Sequence, residues 1–78
     1  MIRVRLFGLL RLDSGIKELE LEARSVTELL SALEQRSGQL SAEALRGCVI
    51  LINGKPGSKK SRLSDGDEVM LLSPAAGG

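Results

Sequence analysis

The chain opens with hydrophobic and polar positions in strict alternation: Ile2, Val4 and Leu6 are interleaved with Arg3, Arg5 and Phe7. A period of two predicts a strand with one covered face. A turn is expected at Asp13-Ser14-Gly15, and from Ile16 onward Leu19 and Leu21 alternate with Glu18, Glu20 and Glu22. The two runs read as a hairpin with matched inner faces. A register centred on that turn sets Arg5 opposite Glu20 and Arg3 opposite Glu22. Such opposite-charge pairs contribute roughly 0.2 to 1 kcal/mol each and help to fix register.

The period then changes. Val26, Leu29, Leu30 and Leu33 follow i, i+3, i+4, i+7 spacing, which predicts a helix with one apolar stripe. Ser25 is placed to cap it, and Glu28, three residues on, completes a capping box. Gly38 is a natural stop, and Ser41 to Leu45 is too brief a pattern to assign. Cys48 to Ile52 predicts a third strand, ended by Asn53-Gly54, a strong turn signal. Lys55 to Lys60 reads as loop, Ser64-Asp65-Gly66-Asp67 as a further turn, and Glu68 to Leu72 as the last strand. One helix on one face of a four- to five-stranded mixed sheet is an α+β arrangement. In this element order the first and last strands lie side by side at the centre, which is the β-grasp (ubiquitin-like) architecture. The predicted division is a folded unit over 1–72 and a tail over 73–78.

Composition narrows the chemistry. Seventy-eight residues with net charge +1 and 27% charged residues fit one small soluble domain. Nothing in that balance favours nucleic acid or an anionic membrane. Arg3 and Arg5 interrupt any apolar leader, and no run reaches the ~18 apolar residues of a spanning helix, so a cytoplasmic protein is expected. There is no histidine, the commonest general base, and the single Cys48 leaves no second thiol for a disulfide or a metal site. Catalytic machinery, if the chain takes part in any, is expected to come from another protein.

The remaining candidate is the ending itself, Ala75-Ala76-Gly77-Gly78. Glycine has the most backbone freedom to lose, so two in succession add nothing to a fold. They suit a tail that enters a narrow slot, with the carboxylate of Gly78 as the functional group and Gly77 slender enough to thread. Ser73 to Gly78 spans roughly 20 Å when extended at ~3.3 to 3.6 Å per residue. Pro74 stiffens its start by fixing φ, and alanine and glycine lose no side-chain entropy on threading. The plain alternative is a frayed terminus.

Leu6-Phe7-Gly8-Leu9-Leu10-Arg11 in the first strand, Val26-Thr27-Glu28-Leu29-Leu30, Ile52-Asn53-Gly54, Asp65-Gly66-Asp67-Glu68-Val69 and the final Ser73-Pro74-Ala75-Ala76-Gly77-Gly78 together carry a resemblance. Across essentially its whole length the chain resembles the ubiquitin-like sulfur carriers of the MoaD/ThiS family, most closely the molybdopterin synthase small subunit. The resemblance implies that Gly78 is adenylated by a ubiquitin-activating-like enzyme using ATP and Mg²⁺, then converted to a thiocarboxylate with sulfur from a donor such as a cysteine desulfurase or rhodanese. It implies that the molybdopterin synthase large subunit receives that sulfur, and that this chain binds no cofactor itself. Ser73 stands where the family has the first of two prolines, which is expected to loosen the start of the tail. Met70 and Leu72 stand where aromatics are frequent.

Three other uses of this ending stay open: a thiamine-pathway carrier, a modifier joined to lysines through Gly78, and a β-grasp interaction domain never activated at its terminus. Phe7, Met70 and Leu72 fall on the outer faces of neighbouring strands and are expected to form a docking patch next to the tail, with Pro74, Ala75 and Ala76 continuing it. Cys48 sits in the most apolar strand and reads as structural. Lys55, Lys59, Lys60 and Arg62 read as a solvated loop, and Asp65, Asp67 and Glu68 as a turn rather than a cation site.

Overall fold

The computed structural model describes residues 1–37, 40 and 45–73. The alternating start forms β1 (Ile2–Phe7), and its inner residues Ile2, Val4 and Leu6 are at most 2% exposed. The chain then forms a short helix, α1 (Leu9–Ser14), and a second strand, β2 (Glu18–Leu21). The main helix, α2 (Val26–Arg36), is followed by β3 (Val49–Ile52), the two-residue β4 (Lys55–Pro56) and β5 (Glu68–Leu72). The mixed sheet runs β2-β1-β5-β3-β4, with β1 and β5 parallel at its centre and the other pairs antiparallel. This is the β-grasp topology.

The stripe expected on the main helix is the stripe that is buried. Val26, Leu29, Leu30 and Leu33 join Ile2, Val4, Leu6, Leu21, Ile50, Val69 and Leu71 in one apolar cluster. Leu10, Leu40, Leu45 and Leu63 complete it. Ser25 Oγ accepts from the Glu28 amide at 3.3 Å, and the Glu28 carboxylate accepts from the Arg24 amide at 2.7 Å, so the capping box closes one residue earlier than its usual form. The helix ends at Ser37, whose amide donates to Leu33. Gly38 and residues 41–44 lie outside the described residues.

Five local expectations are corrected. The stretch before Gly15 is a helix rather than a bare turn, and Leu9 to Arg11 belong to that helix rather than to the first strand. The register is therefore Arg3 opposite Glu20 and Arg5 opposite Glu18, two residues from the turn-centred one. A shift of two preserves which face each side chain occupies, so the charge pairing survives: Glu18 lies 3.7 Å from both Arg3 and Arg5. The strand after Gly15 begins at Glu18 rather than Ile16. Finally, Lys55-Pro56 pairs with Ile52 and Leu51 instead of forming loop. Asn53 and Gly54, with φ of 52° and 82°, make a turn of two positive-φ residues whose twist carries the chain straight back along β3.

Candidate functional site

β5 is the third of five strands and is hydrogen-bonded on both sides, so the chain leaves the sheet from its centre. Its inner residues Val69 and Leu71 are fully buried, while Met70 and Leu72 face outward. On that outer face the register aligns Phe7, Leu72 and Val49 as one row across β1, β5 and β3. The next row is Arg5, Met70, Leu51 and Pro56. The expected trio Phe7, Met70 and Leu72 is thus brought together, and Val49 and Leu51 enlarge it. Val49 is 46% and Leu72 42% exposed, which is unusual for large aliphatic residues at the middle of a sheet.

The patch has a charged border. Arg5 lies over the ring of Phe7 with its guanidinium carbon 5.5 Å from the centroid, a cation–π contact that leaves Phe7 half-buried. Beyond Arg5 the face is polar, with Arg3, Glu18 and Glu20 on β1 and β2. An apolar corner rimmed by charge is the usual anatomy of a protein contact surface. On α1, Leu9 and Leu12 are also exposed, at 40% and 75%.

Where β5 ends, Ser73 is held. Its hydroxyl accepts from the Leu9 amide at 2.7 Å and the Leu10 amide at 3.3 Å. The expectation that serine loosens the start of the tail is corrected, because this hydroxyl ties the chain to the first turn of α1. No sequence signal links positions 64 residues apart, and short-range patterning could not have found the pair. Pro74, Ala75, Ala76, Gly77 and Gly78 lie outside the described residues.

The other candidates take structural places. Cys48 is half-buried, its thiol donates to the Leu45 carbonyl at 2.9 Å, and burial pushes its pKa up, opposite to what a nucleophile needs. Asp67 accepts from the Ser64 amide at 2.8 Å and from Asn53 Nδ2 at 3.0 Å, and these bonds hold its carboxyl below the ordinary range. Asn53 in turn accepts from the Glu68 amide at 3.0 Å. Asp65 is paired with the amino group of Met1. The acidic turn therefore stitches the start of β1, the β3–β4 turn and β5 together. Lys55, Lys59, Lys60 and Arg62 are exposed. No helix among the described residues is long and apolar enough to cross a membrane.

A parallel central pair and one main helix across one face define the ubiquitin-like, β-grasp class of fold. The ThiS family model matches residues 4–78. The chain belongs to the ThiS family, the ThiS/MoaD type of ubiquitin-like sulfur carrier. Among solved structures it is similar to subunit 1 or 2 in the Helicobacter pylori complex of the two molybdopterin-converting factor subunits, at 31% identity, 99% of this chain, 97% of that one and a TM-score of 0.69. It is also similar to small archaeal modifier protein 1 of Methanosarcina acetivorans, at 28% identity, 99% and 95% coverage and a TM-score of 0.85. A chain of the BexX/CysO complex of Amycolatopsis orientalis shares the fold, at 24% identity, full coverage of both chains and a TM-score of 0.81. No curated protein matches the sequence significantly.

Proposed function

We propose that the chain is the sulfur-carrying small subunit of a molybdopterin synthase, acting through a thiocarboxylate at Gly78. The observation that carries this reading is the position of the apolar corner, Phe7, Met70, Leu72, Val49 and Leu51, beside the residue at which β5 hands over to the tail. A partner docked on that corner holds the tail within reach of its own active site. The likeness to a chain of the Helicobacter pylori two-subunit complex supports a large subunit as that partner.

The chemistry follows from the group. A free α-carboxylate, with a reference pKa of about 3.3 to 3.7, is an anion at neutral pH and a poor electrophile. Attack of a Gly78 carboxylate oxygen on the α-phosphorus of ATP, with Mg²⁺ held by the adenylating enzyme, expels pyrophosphate and makes an acyl-adenylate. The terminal sulfur of a persulfide on a cysteine desulfurase or rhodanese then attacks the carbonyl carbon, AMP departs, and a thiol attacks the donor-side sulfur of the resulting acyl disulfide, releasing the thiocarboxylate and leaving the donor cysteine in a disulfide with that thiol. This chain supplies the carboxylate, the slender tail and the dock; the partners supply the acid–base and metal chemistry.

Intact mass spectrometry tests the reading. After incubation with the adenylating enzyme, ATP and a sulfur donor, the C-terminal peptide is expected to gain the mass of one sulfur-for-oxygen exchange. Persistent oxygen at Gly78 would sink the proposal. Co-purification with a molybdopterin synthase large subunit, rather than thiazole synthase, separates this branch from the thiamine one. A second reading, conjugation of Gly78 to lysines, is favoured by the likeness to the archaeal modifier; a ladder of heavier conjugates that disappears when Gly78 is deleted is its signature.

A further inference from the structure

We infer that Ser73 and Gly8 form a clasp that fixes the direction in which the chain leaves β5, making Ser73 a positioning residue for delivery of the terminal carboxylate. Gly8 is the first residue beyond β1 and Ser73 the first beyond β5, and the two strands run parallel with Phe7 beside Leu72. The two exits therefore lie side by side. A Cβ built on Gly8 would stand 2.9 Å from Ser73 Oγ, 3.1 Å from the Ser73 carbonyl oxygen and 3.5 Å from Leu72 Cδ1. The close approach needs glycine twice over, since Gly8 also holds φ 66° and ψ −139°, a conformation closed to other residues.

That approach is what lets the Ser73 hydroxyl reach the Leu9 and Leu10 amides. The first amides of a helix have no partner within it. Here the two foremost are taken by Ser73, and those of Arg11 and Leu12 by the Gly8 carbonyl at 3.2 and 3.1 Å. The tie works in both directions. α1 receives its cap from across the sheet, and Ser73 is fastened to a helix that is itself anchored in the core by Leu10, 2% exposed.

The use of this clasp in delivery rests on the carrier reading above; the clasp itself does not. A fastened Ser73 holds the exit from β5 in one direction, so a larger fraction of molecules is aligned toward a docked partner's slot. Apparent affinity scales with that competent fraction. Once the tail is threaded, the reacting geometry is the same with or without the tie.

The test compares the full chain with Ser73→Ala and Ser73→Thr. In S73A the Leu9 and Leu10 amides are expected to exchange with solvent about fivefold faster or more, the factor that loss of a typical cap carries. The ¹H–¹⁵N NOE of Ser73's successor at position 73 is expected to fall with it, and S73T restores both. In ATP–pyrophosphate exchange with a ubiquitin-activating-like enzyme, S73A is expected to raise KM for the chain about three- to tenfold with kcat within about twofold, and S73T to return KM toward the starting value. Unchanged exchange at Leu9 and Leu10 would overturn the clasp. Faster exchange with an unchanged KM would overturn the positioning role and leave Ser73 as a cap for α1. Failure of the unmodified chain to be adenylated at all would overturn the carrier reading and the delivery role with it, while the exchange data still decide the clasp.

Discussion

Gly8 and Asp67 show how much a single position carries in so small a domain. At Gly8 any side chain meets both a positive φ and the Ser73 backbone oxygen 3.1 Å away. Gly8→Ala is expected to cost about 1 to 3 kcal/mol of stability, the range for a residue held in a sparsely populated conformation, measured by urea denaturation. Removing Ser73 Oγ relieves only the shorter of the two contacts, so the double variant with Ser73→Ala is expected to be more stable than the sum of the single losses implies. Asp67 makes a pH-dependent contribution. Its carboxyl is held below the ordinary range by the Ser64 amide and then by Asn53. A depressed folded-state pKa stabilises fully above the unfolded value of about 3.9 and is lost as pH falls through the folded one. Asp67→Asn is therefore expected to be less stable than the parent at pH 7 and to converge with it as pH falls through the depressed folded-state value, followed by thermal melts across the acid range. The Asp65-Gly66-Asp67 turn was legible as a turn from its residue types. That Asp67 binds Asn53 was not, because the two are brought together only when β3 pairs with β5.

The two helices differ in how far sequence announces them. α2 repeats its apolar stripe over two turns and carries its own cap, so local information suffices to place it. Leu29 lies at the centre of that stripe and is fully buried. Leu29→Ala is expected to cost about 2 to 5 kcal/mol, the range for emptying a well-packed aliphatic site, read as a fall in the urea midpoint. α1 is six residues long, buries only Leu10 and has no capping side chain of its own. Such a helix is too short for periodicity to reveal and too short to hold itself together in isolation. Ser73, just beyond β5, caps it, and burial of Leu10 anchors it in the core. The register of β1 against β2 was displaced for the same reason: strand pairing can slide by two residues without turning a side chain over, and α1 decides where it stops.

At the scale of the whole molecule, function depends on what the sheet order sets side by side. Val49 lies on β3, far in sequence from both Phe7 and Leu72, yet its row completes the apolar corner at the tail. Val49→Glu is expected to leave the thermal midpoint nearly unchanged, since the side chain is 46% exposed. If the proposed molybdopterin synthase large subunit docks on this corner, the substitution is expected to weaken its binding about tenfold or more, as loss of a well-packed interface contact does, measured by titration calorimetry. The sequence by itself determined the class of fold, the buried stripe of α2, the outward placing of Phe7, Met70 and Leu72, and Gly78 as the candidate group. Each of these follows from periodicity, turn chemistry or residue type, which are local properties. Only the tertiary structure decided the register, the helix α1, the reach of the patch to Val49 and Leu51, and the fastening of Ser73. Those depend on pairings between β1, β5 and β3, and a contact between Leu9 and Ser73 becomes visible only after the central strands have brought the two ends of the chain together.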